Sequence, residues 1–164
     1  MHLRSVGERS MLLGLLCLVV AQAAIAQECL GKLEVVKGRH TRTISSEDPS
    51  RYLFTLTNQS DQEMLYTLSV EPVSDNCELQ AMPARRLSNQ GNLSFQWKNG
   101  QDSGNQLKLG AGQSAIIQLQ VALLQPIDDP LWQCLSVVAS APQCREKLRV
   151  GIRLWMEPHQ TDNY

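Results

Sequence analysis

The sequence predicts an all-β protein, an immunoglobulin-like antiparallel β-sandwich of about seven or eight strands that follows a cleaved signal peptide. Short segments alternate apolar and polar residues, as strands with one buried face do. Turn-forming residues separate these segments at intervals of roughly ten positions. No segment after residue 26 has the 3.6-residue period of an amphipathic helix. A β-barrel is the alternative, and the irregular spacing across 82–92 favours the sandwich.

Residues 1–26 have the features of a secretory signal peptide. Two arginines precede the apolar run Met11–Val20, and Ala24 and Ala26 suit a signal peptidase. We therefore predict cleavage before Gln27 and a periplasmic or extracellular location. The alternative is an anchoring helix, but the apolar run is about half of the roughly 20 residues that a span requires. No membrane insertion is expected after cleavage.

The mature chain predicts one domain over 27–158 and a flexible polar tail over 159–164. The whole sequence has 15 Lys and Arg against 16 Asp and Glu, and no run of like charge exceeds two residues. Nucleic acid is therefore a poor partner, because phosphate binding needs clustered basic residues. We expect the partner to be another exported or cell-envelope protein.

The mature cysteines predict two disulfides, because an even number behind a signal peptide is typical of an oxidising compartment. Three pairings are possible. Cys134–Cys144 is favoured because the residues between them resemble a hairpin tip, which leaves Cys29–Cys77. A metal or redox site is the alternative, but none of the four lies in a C-x-x-C motif.

The first half of the mature chain predicts three strands. Leu33–Lys37 is short, and the polar segment Gly38–Ser50 is expected to be a loop or an irregular edge segment. Arg51–Thr57 and Met64–Val70 each alternate, and the turn residues between them predict an antiparallel hairpin.

The middle of the chain predicts a second hairpin. Residues 77–81 are expected to form a brief strand, and 82–92 are expected to cross from one sheet to the other. Leu93–Lys98 then places Phe95 and Trp97 toward the core, and Leu107–Leu124 returns beside it with apolar residues at alternate positions.

Two further strands end the domain. Leu131–Val138 is continuously apolar, and Lys147–Met156 alternates most clearly. The outward positions of the last strand include Arg149, Arg153 and Trp155. An outward tryptophan is typical of a binding surface, so these three residues are the predicted surface; a covering loop is the alternative.

The sequence offers no catalytic constellation, and we expect no enzyme activity, no cofactor and no metal site. His40 and His159 are the only mature histidines and are expected to be solvated. Asp128-Asp129 lacks the ligand spacing of a calcium loop. The glycines at 110 and 112 precede a strand instead of a helix N-terminus, which excludes a phosphate cradle.

The segments YLFTLTNQSDQEMLYTLSV and LKLGAGQSAIIQLQV resemble bacterial exported immunoglobulin-like modules. The N-terminal domain of PapD-like periplasmic chaperones is similar, with a strand that ends in Asn and a later turn, here Gly112-Gln113-Ser114, before a long strand. The resemblance implies a chaperone-like or assembly role for surface or fimbrial proteins. It departs from those chaperones in having room for one sandwich instead of two, and their basic anchoring pair has no evident counterpart here.

The leading hypothesis is therefore an exported, non-enzymatic protein-interaction module. Strand addition at an unprotected sheet edge would supply main-chain hydrogen bonds to the partner. The first alternative is a structural subunit of a surface appendage or matrix. The second alternative is a carbohydrate-binding module.

Overall fold

The structure, a computed structural model of the chain, describes residues 30–73, 92–100 and 102–158. In these ranges ten strands form two five-stranded sheets packed face to face. The strands are β1 Gly31–Val35, β2 Thr41–Ile44, β3 Ser50–Asn58, β4 Met64–Pro72, β5 Leu93–Asn99, β6 Asp102–Ser103, β7 Gln106–Leu109, β8 Ser114–Leu123, β9 Leu131–Ser140 and β10 Leu148–Met156.

The strand order is β1-β3-β8-β5-β6 in the first sheet and β2-β10-β9-β4-β7 in the second. All neighbouring pairs are antiparallel except β2 and β10, which are parallel. The predicted immunoglobulin-like β-sandwich is confirmed. It differs from the prediction in its larger number of strands and in this one parallel pair.

The parallel pair arises because the chain changes sheets soon after it enters the sandwich. A short 3-10 turn at Val36–Gly38 separates β1 from β2, with Lys37 and Gly38 at φ of 58° and 62°. These two left-handed residues redirect the chain from the first sheet to the second. Of the two interpretations of Gly38–Ser50, the loop was wrong at Thr41–Ile44, which forms the edge strand β2. That strand buries only Ile44, so its sequence shows no alternation.

The core lies between the two sheets, as the alternation predicted. In β8 the side chains of Ile117, Leu119, Val121 and Leu123 are buried, while Ala115 packs at its margin. The core also contains a cluster of aromatic rings. The ring of Phe54 lies 6.2 Å from that of Tyr52 and 6.3 Å from that of Trp97.

The first predicted hairpin was wrong, and the second was confirmed for the longer part of its return segment. β3 pairs with β1 and β8 in the first sheet, whereas β4 pairs with β7 and β9 in the second. In the second hairpin β8 pairs antiparallel with β5 in the first sheet, as predicted, but β7 at the start of the same segment belongs to the second sheet. Alternation identifies the buried face of a strand, but it carries no information on which strand lies beside it.

The turn that crosses from β3 to β4 is held by a buried amide. Asn58 is fully buried, and its Nδ2 donates to the carbonyl oxygens of Gln62 at 2.7 Å and Leu109 at 3.1 Å. Its Oδ1 accepts from the Ser60 backbone N–H at 3.1 Å and the Tyr66 hydroxyl at 3.4 Å. One side chain therefore ties the crossing turn to the turn that joins β7 and β8.

The predicted Cys134–Cys144 bridge is excluded by the strand register. Cys134 lies opposite Arg153, whereas Cys144 lies beyond the other end of β9, where its N–H donates to the Ala141 carbonyl at 3.0 Å. Cys134 and Ala141 are seven positions apart along an extended strand, about 23 Å at 3.3 Å per residue. A disulfide allows at most about 7 Å between Cα atoms. Cys134 and Cys144 are nevertheless both disulfide-bonded, so each is bonded to another cysteine.

Several predictions fall outside the described residues. They concern the signal peptide over 1–26, the Cys29–Cys77 pair, the brief strand over 77–81, most of the 82–92 connection and the tail over 159–164. Among the described residues no helix has the length and apolar character to cross a membrane. That same part of the chain contains no group of His, Cys, Asp and Glu that could hold a metal ion.

Candidate functional site: the edge of the second sheet

The three predicted surface residues lie along the outer face of β10. Leu154 and Met156 point into the core, so Arg149, Arg153 and Trp155 point away from it. The two arginines are four positions apart, about 13 Å along a strand. They therefore belong to different environments.

Arg149 belongs to an ion cluster at one end of β10. Its guanidinium lies 2.5 Å from Glu71 on β4, and Lys147 lies 3.3 Å from the same carboxylate. The hydrogen bond from Arg149 lowers the pKa of Glu71, and the bond from Lys147 adds to this effect. With its charge already paired, Arg149 is a poor candidate for partner recognition.

Trp155 belongs to an aromatic pair at the opposite end. The strand register places it directly across from Trp132 on β9, with ring centroids 5.0 Å apart and planes at 48°. Both side chains are half-buried. Trp132 was missing from the predicted surface because β9 is buried on both faces: Cys134 and Val138 share its outward side and are also buried. Alternation was therefore hidden in this strand.

The tryptophan pair borders an open cleft of about 1020 Å³. The cleft runs around the edge of the sandwich, where β2 of the second sheet turns into β3 of the first. We call it the edge cleft. Its lining includes Thr41, Arg42 and Thr43 of β2, Trp132 and Trp155 of the second sheet, and Arg51 of β3.

One side of β2 is a free sheet edge. The carbonyl oxygens of His40 and Ile44 accept from the N–H groups of Arg153 and Glu157 at 2.8 and 2.9 Å, so alternate residues from 40 to 44 face β10. Thr41 and Thr43 consequently direct their backbone groups away from the sheet. The Thr43 carbonyl accepts from the Ser50 hydroxyl. Among the described residues, the N–H groups of both threonines and the Thr41 carbonyl have no partner.

Two further donors beside this edge lack partners. The side chain of Arg42 shares the inward side of β2 with Ile44, and its Nε is buried without an acceptor. The Nε1 of Trp132 is also buried without an acceptor. Buried donors of this kind usually have a partner. Their concentration around the edge cleft distinguishes it from the rest of the described surface.

A hydrogen bond between the two sheets lies next to the edge cleft, on its core side. The Tyr52 hydroxyl donates to the Arg153 carbonyl at 2.5 Å, which connects β3 of the first sheet to β10 of the second. Burial raises the pKa of the Tyr52 hydroxyl well above its usual value. This tyrosine therefore stays neutral and keeps its hydrogen bond to strongly alkaline pH.

The residues considered for catalysis are placed apart from one another. His40 lies at the exposed end of β2 with Nδ1 2.9 Å from the Gly151 carbonyl oxygen, in position to donate to it. Asp128 and Asp129 lie in the turn between β8 and β9. Gly112 has a φ of 67° in the β7–β8 turn, where it serves a chain reversal. His159 lies outside the described residues.

Comparisons with known proteins yield similar folds only. No family model matches the chain, and no curated protein matches it. It is similar to a FixG-related protein from Vibrio parahaemolyticus, with 12% identity and a TM-score of 0.45 over 77% of this chain and 96% of that one. It is also similar to the periplasmic chaperone SfaE, with 11% identity and a TM-score of 0.43 over 80% of this chain.

The chain spans 58% of the length of SfaE. A third similar structure is PapD-like domain 7 of human CEP192, with 10% identity and a TM-score of 0.44 over 82% of this chain and 89% of that domain. PapD-like domains are thus among the structures that this chain resembles. These similarities accompany the sandwich described above and assign no partner or activity.

Proposed function

We propose that this protein is an exported, non-enzymatic interaction module, a chaperone-like or assembly factor for surface or fimbrial proteins. It engages an extended segment of its partner by strand addition at the free edge of β2. The observation that carries this proposal is the combination of unpaired backbone groups at Thr41 and Thr43 with the adjacent edge cleft. An extended peptide would satisfy these groups and place alternate side chains in the cleft.

The short length of β2 limits how much of the binding affinity backbone hydrogen bonds can supply. β2 has four residues, and only three of its backbone groups are free on the outer side. Short edge strands are a common defence against uncontrolled pairing. Affinity must therefore come largely from the cleft, where the Trp132–Trp155 pair offers the large aromatic surface typical of binding hot spots.

The unpaired N–H groups suit a partner rich in acceptors. Arg42 Nε and Trp132 Nε1 are both buried beside the cleft without an acceptor. Carbonyl oxygens of an extended peptide supply such acceptors, and a small movement of either side chain would bring them within reach. This is why a peptide backbone is the favoured occupant over an apolar helix.

The test is affinity capture of exported proteins by the tagged, mature chain. A Thr41→Pro, Thr43→Pro variant removes both free N–H groups while leaving the bonds to β10 in place, because proline is tolerated on the open side of an edge strand. The control is Leu65→Ser, an exposed position on β4 opposite Lys108 and outside the lining of the edge cleft. We expect one exported partner with the parent chain and the control, and its loss with the proline variant.

The alternatives give different outcomes. A structural subunit of an appendage would assemble into polymers on size-exclusion chromatography, whereas the proposed module stays a discrete species. A carbohydrate-binding module would retain a glycan after both proline substitutions, because sugar stacking uses the tryptophans and not the backbone of β2. Equal capture of the partner by the parent chain and the proline variant would contradict strand addition at this edge.

A further inference from the structure

We infer that the mature chain is cross-linked by the disulfides Cys77–Cys134 and Cys29–Cys144. This inference is independent of the proposed function. Cys134 and Cys144 are each disulfide-bonded, and the register of β9 and β10 keeps them too far apart to bond to each other. With Cys17 inside the predicted signal peptide, the mature chain offers only Cys29 and Cys77 as their partners. Two connectivities remain: the one stated above, and the alternative of Cys77–Cys144 with Cys29–Cys134.

The chain approaches Cys134 from the end of β4. Pro72 lies opposite Leu135, and the next residue, Val73, donates its N–H to the Cys134 carbonyl at 3.3 Å. Cys77 follows Val73 by four residues, which span at most about 14 Å. Cys77 is therefore within easy reach of Cys134.

The other end of β4 is remote from this point. Thr67 lies opposite Ser140, and the strand from there to Val73 measures about 20 Å at 3.3 Å per residue. Cys144 lies beyond Ser140, at that far end. To bond Cys144, Cys77 would need its four-residue connection fully extended back along the sheet.

The chain approaches Cys144 from the start of β1. A side chain added at Gly31 would meet Leu148 Cδ1 at 2.9 Å and the Tyr66 hydroxyl at 3.2 Å, so this glycine lies against the start of β10. Cys144 precedes Leu148 by four residues, and Cys29 precedes Gly31 by two. Both cysteines are thus tied by short connections to the same end of the second sheet.

The position of Cys29 also excludes the alternative connectivity, in which Cys29 would bond to Cys134. In the β10 register Leu148 and Arg153 are five residues apart, about 17 Å along the strand, and Arg153 lies opposite Cys134. Cys29 is two residues from Gly31 and reaches about 7 Å from it. A Cys29–Cys134 bond is therefore out of range, whereas Cys29–Cys144 is within range.

The chemistry needs an electron acceptor. Each bridge forms when two thiols lose two protons and two electrons as their sulfurs join. The electrons pass by thiol–disulfide exchange to the disulfide of an oxidoreductase in the export compartment, which becomes a dithiol. The two bridges then fasten the mature N-terminus to the β9–β10 turn and fasten the chain beyond β4 to the outer face of β9.

The test is disulfide mapping of the mature, exported protein. Free thiols are alkylated under denaturing conditions without reduction, and the protein is digested with pepsin at low pH, where exchange is slow because thiolates are absent. Cleavage next to Leu135 separates Cys134 from Cys144, which a tryptic digest would leave together between Lys108 and Arg145. We expect linked peptides joining Cys77 to Cys134 and Cys29 to Cys144. Any other pairing, or four free thiols, overturns the inference.

A single substitution gives an independent reading. In Cys134→Ser one thiol is left without its partner, and we expect iodoacetamide to label Cys77 while Cys29 and Cys144 stay linked. In Cys144→Ser the labelled residue is expected to be Cys29. Labelling of Cys29 in the first variant, or of Cys77 in the second, contradicts the proposed connectivity. Both readings can be made on denatured protein, so a loss of stability does not obscure them.

Discussion

The hydroxyl of Tyr52 donates a hydrogen bond to the carbonyl oxygen of Arg153 and so joins the two sheets directly behind the edge cleft. Tyr52 is fully buried, and this burial raises the pKa of its hydroxyl above the usual value. A tyrosine whose pKa is raised by folding stabilises the fold at pH values below the pKa of the unfolded state, which is about 10. The contribution is lost progressively as the pH rises above that value toward the folded pKa.

We therefore predict that Tyr52→Phe has opposite consequences at neutral and alkaline pH. At pH 7 the variant loses one buried hydrogen bond, and its free energy of unfolding falls by about 1 kcal/mol. Above pH 10 the parent loses up to about 1.4 kcal/mol per pH unit through this group, and the variant does not. Urea unfolding at pH 7 and at pH 11 measures both effects. If the free energy of unfolding falls between pH 7 and pH 11 by as much in the variant as in the parent, Tyr52 is not responsible for the alkaline loss of stability.

Arg42 is expected to be a site where stability is sacrificed for binding. Its Nε is buried without an acceptor, and such a donor costs about 1–3 kcal/mol. Arg42→Met, which keeps an unbranched apolar stem and removes the donor, should raise the free energy of unfolding by about 1 kcal/mol and weaken partner binding. The matched control is Arg51→Met, an exposed residue of the same cleft that should leave stability unchanged. Thermal unfolding of the two variants measures this difference in stability. Destabilisation by Arg42→Met would contradict this interpretation.

The sequence predicts which strand faces are buried far better than it predicts which strands are neighbours. The alternation of β8 and β10 correctly identifies core positions such as Leu119 and Ile152. It fails to reveal that β3 and β4 belong to different sheets, because pairing is decided by contacts distant in sequence. The buried amide of Asn58, which fixes the crossing turn, gives no local signal beyond a residue typical of turns.

The candidate site was only partly predictable for the same reason. Trp155 could be placed outward from the pattern of β10 alone. Its partner Trp132 could not, because β9 buries residues on both faces. The free edge of β2 was also hidden, since a four-residue strand with one buried side chain resembles a loop in sequence. Arg149 was predicted on a binding surface, yet Glu71 on β4 pairs its charge, a contact that local sequence does not reveal.

The tryptophan pair should carry much of the partner affinity. We predict that Trp155→Ala weakens partner binding by about 30-fold, the level of a hot-spot residue, because it removes half of the aromatic surface beside β2. Leu65→Ala, which truncates an exposed apolar side chain of β4 outside the cleft lining, should leave binding unchanged. Titration calorimetry with the captured partner measures both. A change of less than about twofold for Trp155→Ala would remove the pair from the interface.

Asn58 should be among the most sensitive polar positions of the fold. Asn58→Ala leaves the carbonyl oxygens of Gln62 and Leu109 without their donor, and we expect a loss of about 2–3 kcal/mol. Asn58→Asp keeps the shape but directs a carboxylate at those carbonyls, so its loss should be at least as large and should ease as the pH is lowered. Asn105→Ala, at an exposed asparagine with one long hydrogen bond, is the control. Equal stability of the two Asn58 variants and the control would contradict this role.

Recognition through the free edge of β2 is tested most directly by site-specific photo-cross-linking in the native host. A photoreactive amino acid replaces Thr43, which lies beside Trp155 and borders the edge cleft, and in a second strain it replaces the exposed Leu65 of β4, outside the cleft lining. Strand addition predicts one discrete cross-linked exported protein from position 43 and none from position 65. Absence of a product at position 43, or the same product from both positions, would contradict it.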